Sequence, residues 1–232
     1  MGTETNIESP AEKARWRSDG YRLLSLLFCF PESPFSEMTI HDWLVTGCFH
    51  LPEGIPSFKN ILRMKKEHTR LFKNLLSPHE SNYTEHIPSD KVKLVATLAN
   101  LYRAFSVDVS EEDRSADSLE AELEFMAWLV AKEELALKKG DYHHAAQSHE
   151  AQGKFLQEHL GRWVPAFLMD LKASSPDPFY LKVMALSETF LTMDMEREFS
   201  LKWKDVSKGV LPRISPVSDS GIKPQVRKKT IA

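Results

Sequence analysis

Carboxylates crowd one short stretch of this chain, Asp117-Ser-Leu-Glu-Ala-Glu-Leu-Glu-Phe-Met-Ala-Trp-Leu129, where an acidic lip runs straight into a strongly apolar helix. Carboxylates pair well with guanidinium groups, in forked geometry when the partner is arginine. Asp117, Glu122 and Glu124 are therefore candidate acceptors, with Ser118 beside them and Phe125 and Trp128 as aromatic rims for an apolar segment. This is the chemistry of gripping a basic, partly apolar peptide. The bland alternative treats the same acids as a helix start: Asp117 followed three residues later by Glu120 resembles a side-chain cap, and acids in a first turn are favoured by the helix dipole. That alternative accounts for Asp117 and Glu120. It accounts less well for Glu122 and Glu124, because crowded acids repel one another unless a cation, solvent or ligand screens them.

Two further segments carry polar groups in suggestive settings. Glu67-His-Thr-Arg-Leu-Phe-Lys-Asn-Leu-Leu-Ser-Pro-His-Glu-Ser-Asn-Tyr83 joins a helix to a loop, and loops held by a rigid scaffold are common places for recognition. Arg70, Glu80 and Tyr83 are its candidate contacts; the alternative is that Arg70 pairs with Glu67 or Glu80 while Tyr83 packs over the loop. Phe155-Leu-Gln-Glu-His-Leu-Gly-Arg-Trp-Val-Pro-Ala-Phe167 reads as a helix end, a break at Gly161 and a new helix entered through Trp163 and Pro165. His159, Trp163 and Pro165 there take a structural role, a histidine hydrogen-bonded against a buried aromatic corner.

Other chemistries find little support. His143, His144, His149 and Glu150 lie close together, but no two of these histidines are four apart on one helix face, and neither an H-E-x-x-H motif nor a cysteine pair accompanies them. There is no P-loop, no G-x-G-x-x-G turn after a strand and no G-x-S-x-G elbow. The sequence therefore reads as a binding protein rather than an enzyme, with no metal and no cofactor site of its own.

The elements that must position these residues are helices. Apolar residues recur at helical spacing in nearly every segment, which predicts an all-α, single-domain bundle of about eight to ten helices. Helices are expected near 10–29, 36–48, 57–76, 90–106, 117–139, 141–160, 162–173 and 177–199, with prolines at their edges. In the helix after Asp117, the residues Leu119, Leu123, Met126 and Val130 form a single core-facing stripe, so the acids should point elsewhere. Residues 1–8 are expected to be disordered, 9–207 to form the helical domain, and 208–232, rich in Pro, Ser, Gly and Lys, to form a flexible basic tail.

Composition narrows the function class. The formal net charge is only -3, but ten acids between Asp108 and Glu134 face only Arg114 and Lys132, a local net of about -8. A nucleic-acid binder would carry the opposite sign within its folded body. Cys29 and Cys48 are the only cysteines, which fits a reducing cytoplasm. The apolar run Leu23–Phe30 is too short to span a membrane.

Taken in order, these segments resemble the TorD/DmsD family of redox-enzyme maturation chaperones, most closely the branch serving type II members of the dimethyl-sulfoxide-reductase family of molybdoenzymes. The carrying motifs are Glu67-His-Thr-Arg-Leu-Phe72, Ser77-Pro-His-Glu-Ser-Asn-Tyr83, Leu101-Tyr-Arg-Ala-Phe105, Asp117-Ser-Leu-Glu-Ala-Glu-Leu-Glu-Phe-Met126 and Lys154-Phe-Leu-Gln-Glu-His-Leu-Gly-Arg-Trp-Val-Pro165. The resemblance implies an all-helical cytoplasmic chaperone that binds the immature catalytic subunit of a molybdenum enzyme until its molybdopterin is inserted. It also implies shielding of a twin-arginine signal peptide in clients that carry one. The proline-rich linkers are compatible with a monomer or, by exchange of helices, a domain-swapped dimer. Two departures stand out: the family's Pro-Asp-His turn reads Ala116-Asp117-Ser118, and its usual Pro-Tyr step reads Pro78-His79. Neither a guanine-nucleotide motif nor a molybdopterin motif is present. Two other classes stay open at this point, a helical adaptor unrelated to metalloenzymes and a metal-dependent hydrolase using the histidine-rich segment.

Overall fold

The computed structural model describes residues 9–31, 61–84, 87–107 and 115–199, and these are helical almost throughout. The helices are α1 (Pro10–Phe28), α2 (Ile61–His68), α3 (Ser81–Thr84), α4 (Pro88–Ala104), α5 (Leu119–Lys138), α6 (Tyr142–Phe155), α7 (Gly161–Ala173) and α8 (Pro178–Phe199). Two π-helical segments, π1 (Thr69–Leu75) and π2 (Leu156–Leu160), continue α2 and join α6 to α7. No strand occurs among the described residues, and the one isolated bridge among them pairs His79 with Ser118. The all-α expectation holds. The helix expected at 36–48, the start of that expected at 57–76, the two tails, Cys48 and the acids of 108–114 lie outside the described residues.

Local chemistry starts α1 firmly. Ser9 accepts from the Glu12 N–H at 3.2 Å while Glu12 accepts from the Ser9 N–H at 3.0 Å, a reciprocal cap with Pro10 in the first turn, where its missing N–H is harmless. The helix then lies along α5. Ser18 donates to the Ala127 carbonyl and Ser25 to the Glu120 carbonyl, at 2.9 and 3.1 Å, with Tyr21, Leu24 and Phe28 buried between. Gly20 allows α8 to approach: a Cβ there would fall 2.3 Å from the Phe190 ring. At the far end His68 bonds the Phe28 carbonyl at 3.0 Å, and Phe72 meets Phe28 and Tyr180, which docks α2 and π1.

At the centre is α5. Leu119, Leu123, Met126 and Val130 face the core as the spacing predicts. Ala121, Glu122, Phe125, Ala127 and Leu129 are buried as well, because α1 covers one side of the helix while α6 and π2 cover another. A single apolar stripe is the pattern of a surface helix, and α5 is buried over most of its circumference. The helix begins two residues later than expected, and its cap moves by one: Ser118, not Asp117, accepts from the Ala121 N–H, at 3.3 Å. It ends at Gly140, whose φ of 70° lets the chain reverse, and Asp141 then caps α6 by accepting from the His144 N–H at 3.1 Å.

The break expected at Gly161 is absent. The chain runs helically from Tyr142 to Ala173, widening through π2. Gly161 is needed for closeness instead, since a Cβ there would lie 2.6 Å from the Leu156 carbonyl oxygen and 3.0 Å from the Met195 methyl. Pro165 sits inside α7 rather than at its entrance, so the Gly161 carbonyl loses its usual donor four residues on.

Candidate functional site

π1 closes with the Leu76 N–H donating to the Leu71 carbonyl at 2.7 Å, and the chain then turns sharply through Ser77 and Pro78. The turn is stitched to the start of α5. The Leu119 N–H donates to the Pro78 carbonyl at 2.9 Å and the Glu80 N–H to the Asp117 carbonyl at 2.8 Å, forming the His79–Ser118 bridge. One otherwise orphaned N–H at the helix start is thereby satisfied. The Asp117 carboxylate completes the seam, accepting from the Ser81 N–H at 3.3 Å and from the Ser115 hydroxyl.

This stitching drives polar side chains inward. Glu80 and Glu122 are both 0% exposed and Asp117 is 1% exposed. His159, carried on π2, bonds Glu80 through Nδ1 at 2.8 Å and packs its ring 4.8 Å from Phe155. Trp163 Nε1 donates to Glu122 Oε2 at 3.0 Å. Tyr102 reaches in from α4, donating to the Ala116 carbonyl at 2.8 Å, with its ring 4.4 Å from Phe125. The result is a buried polar knot of three carboxyls, one imidazole, one indole N–H and one phenol, walled by Phe125, Phe155 and Leu123. Its electrostatics are severe. Burial, followed by the charges of Glu80 and Asp117, pushes the Glu122 carboxyl well above the usual carboxylate range, against the opposing Trp163 N–H. Burial and the same acids push the Tyr102 phenol up too.

The expectation that the acids of α5 point to solvent is corrected for Asp117 and Glu122, for the circumferential burial just described. Phe125 is likewise a core ring, not an exposed rim, and Ser118 is a buried helix cap. Glu124 and Trp128, four apart, do share the outward face. Trp128 is 43% exposed; its Nε1 donates to the Phe105 carbonyl at 3.1 Å and the Lys132 ammonium stands 5.3 Å from the ring centroid. Tyr83 is half-buried against Trp163 and Phe167, and burial, with Asp170 beside it, raises its pKa to about 12. Arg70 is drawn away from the turn: its guanidinium forks onto Glu67, both bonds at 2.7 Å, and reaches the Ser174 carbonyl at the end of α7. The structure thus brings Glu80, Asp117, Glu122, His159 and Trp163 into one knot and leaves Arg70, Glu124 and Trp128 outside it.

Sequence reasoning passed over Tyr102, Ser81 and Ser115 as members of this knot. One local signal existed: Glu122 and His159 each sit among apolar neighbours, Ala121 and Leu123 or Leu156 and Leu160. The histidine-rich segment disperses, with His144 on Asp141 and His149 on Glu133. Among the described residues no three His, Cys, Asp or Glu side chains are placed to hold a metal ion, and no helix is long and apolar enough to cross a membrane.

Residues 59–169, which contain the whole knot, match the family described as the nitrate reductase delta subunit. Three curated proteins are similar. The selenate reductase assembly chaperone protein of Thauera selenatis is 37% identical over 35% of this chain and 42% of its own length. The perchlorate reductase assembly chaperone protein of Dechloromonas aromatica (strain RCB) is 31% identical over 47% and 48%. The chlorate reductase assembly chaperone protein of Ideonella dechloratans is 35% identical over 35% and 42%. The alignments span less than half the length of each relative. No solved structure matches the chain.

Proposed function

We propose, from the premise that this chain is kin to reductase assembly chaperones, the resemblance its motifs carry and these matches bear out, that it is itself such a chaperone. It binds the immature catalytic subunit of a molybdenum oxidoreductase of the type II dimethyl-sulfoxide-reductase class in the cytoplasm and releases it once the cofactor is in place. Where that client carries a twin-arginine signal peptide, the chaperone covers it. The observation that carries this reading is the coincidence of the family match with the stretch that builds the seam between the 77–84 turn and α5.

On this reading the site residues divide by position. Glu124 and Trp128 offer the client a carboxylate and a half-exposed ring on one helix face, and Tyr83 and Arg70 border the turn. Glu80, Asp117, Ser118, Glu122 and Phe125 act from within, fixing the shape of the seam, while His159, Trp163 and Pro165 brace it. The protein performs no reaction of its own.

Capture tests the proposal. The tagged full chain is purified from cells that make the large catalytic subunit of a type II dimethyl-sulfoxide-reductase-class molybdenum enzyme. Recovery of that subunit without its cofactor is the expected result. Recovery of only the cofactor-loaded enzyme, or of no such subunit, would overturn the reading.

A further inference from the structure

We infer that Glu80 and Glu122 hold one proton between them across the seam joining the Ser77–Thr84 turn to α5, so that this seam is a latch closed by that proton. Each carboxyl has one oxygen served from outside the pair, Glu80 Oε2 by His159 and Glu122 Oε2 by Trp163. Each also has one buried oxygen, Glu80 Oε1 and Glu122 Oε1, that no donor among the described residues reaches. The two side chains are close neighbours within the knot, Glu80 being the charge that weighs most on Glu122. Two ionised carboxylates cannot hydrogen-bond each other, because both are acceptors; a carboxylic acid and a carboxylate can. A single shared proton supplies the donor that two buried carboxylates lack.

Asp117 at the start of α5 adds a second acid, His159 on π2 adds an imidazole on Glu80, and α4 and α7 present the Tyr102 phenol and Trp163 indole. Burial and the two neighbouring acids favour keeping the proton on Glu122. The sign follows. A carboxyl whose value is raised in the folded state holds its proton more tightly there than in the open chain, so closure is strongest at low pH and weakens as pH rises through the folded value. Once the proton leaves, like charges face each other in the knot, and the strain falls on what ties the short turn to its neighbours: two backbone bonds to the start of α5, the Asp117 carboxylate, the Glu80–His159 bond and Tyr83 packing. Opening there uncovers three carboxylates in one place.

The inference goes beyond the proposed function, and its test needs no client. Carbon-13 spectra of the full-length wild-type chain follow the Glu122 carboxyl with pH, while amide hydrogen exchange follows the Glu80 and Leu119 N–H groups that stitch the seam. A Glu122 carboxyl that keeps its proton well above the usual glutamate range is expected, together with a loss of Glu80 and Leu119 protection of up to about tenfold per pH unit above its titration, beyond intrinsic exchange. In Glu122→Gln, whose amide donates in place of the acid, that extra loss should vanish. A Glu122 carboxyl that titrates like a free glutamate, or seam protection with no excess dependence on pH in the wild type, overturns the latch. The wild-type measurements decide it even if the variant does not fold.

Discussion

Arg17 shows how strongly a single buried charge is committed in this protein. It is 4% exposed and forks onto Asp194 at 2.6 and 3.0 Å, with Glu133 at 3.3 Å and Tyr21 donating to the same aspartate at 2.6 Å. Burial works to raise the Asp194 carboxyl, but Arg17, Arg197 and the Tyr21 hydroxyl outweigh it and hold the group below its ordinary value. Removing the guanidinium strands that carboxylate in the core, so Arg17→Ala is expected to cost roughly 3–5 kcal/mol in chemical denaturation. A carboxyl with a lowered folded value contributes stability above its unfolded value and loses it as pH falls through the folded one. Wild-type stability should therefore drop as pH falls below about 4, and drop less steeply in Arg17→Ala. None of this pairing was legible locally, because residues 17 and 194 meet only through the packing of α1 on α8. The same holds for Glu80 and His159, 79 residues apart. What could be read was the anomaly of a lone acid or imidazole in apolar company.

At the scale of elements, periodicity located the helices well where each has one buried face. It failed where that premise fails. α5 is covered on two sides, so the rule that placed Leu119 and Leu123 correctly misplaced Glu122 and Phe125. Gly161 failed for another reason: a glycine before Trp163 and Pro165 has the composition of a helix stop, but here it is an interior residue where the backbone of π2 and the side chain of Met195 approach too closely for a Cβ. π segments recur at functional sites, and both of those seen here deliver parts of the knot, π1 leading into the turn and π2 carrying His159. Gly161→Ala should shift π2 and loosen the His159–Glu80 bond. The expected loss is about 1–3 kcal/mol in thermal or chemical unfolding, an overpacking cost that outweighs the better helix propensity of alanine. An unchanged or higher stability would mean that π2 is not held where the packing places it.

At the scale of the whole molecule, the burial of the acidic knot changes what the protein can show a client. On the proposed reading, Glu124 and Trp128, outside the knot, supply the charge and the ring, while the knot holds the seam in shape. Glu124→Gln with Trp128→Ala should lower client capture at least severalfold, measured on folded protein, since losing the Trp128 bond to the Phe105 carbonyl also costs some stability. Equal capture by this double variant would move the contact surface elsewhere on the molecule. The family resemblance was legible in the order and spacing of the motifs, whereas the division of labour between exposed and buried acids depended on the tertiary packing. The account as a whole rests on a chaperone that keeps a catalytic subunit receptive until its cofactor arrives. The molybdenum content of that subunit, measured after purification from cells with and without this chain, tests it most directly. A subunit largely empty of molybdenum when the chain is missing, and filled when the chain is restored, is the result expected; equal filling in both would contradict it.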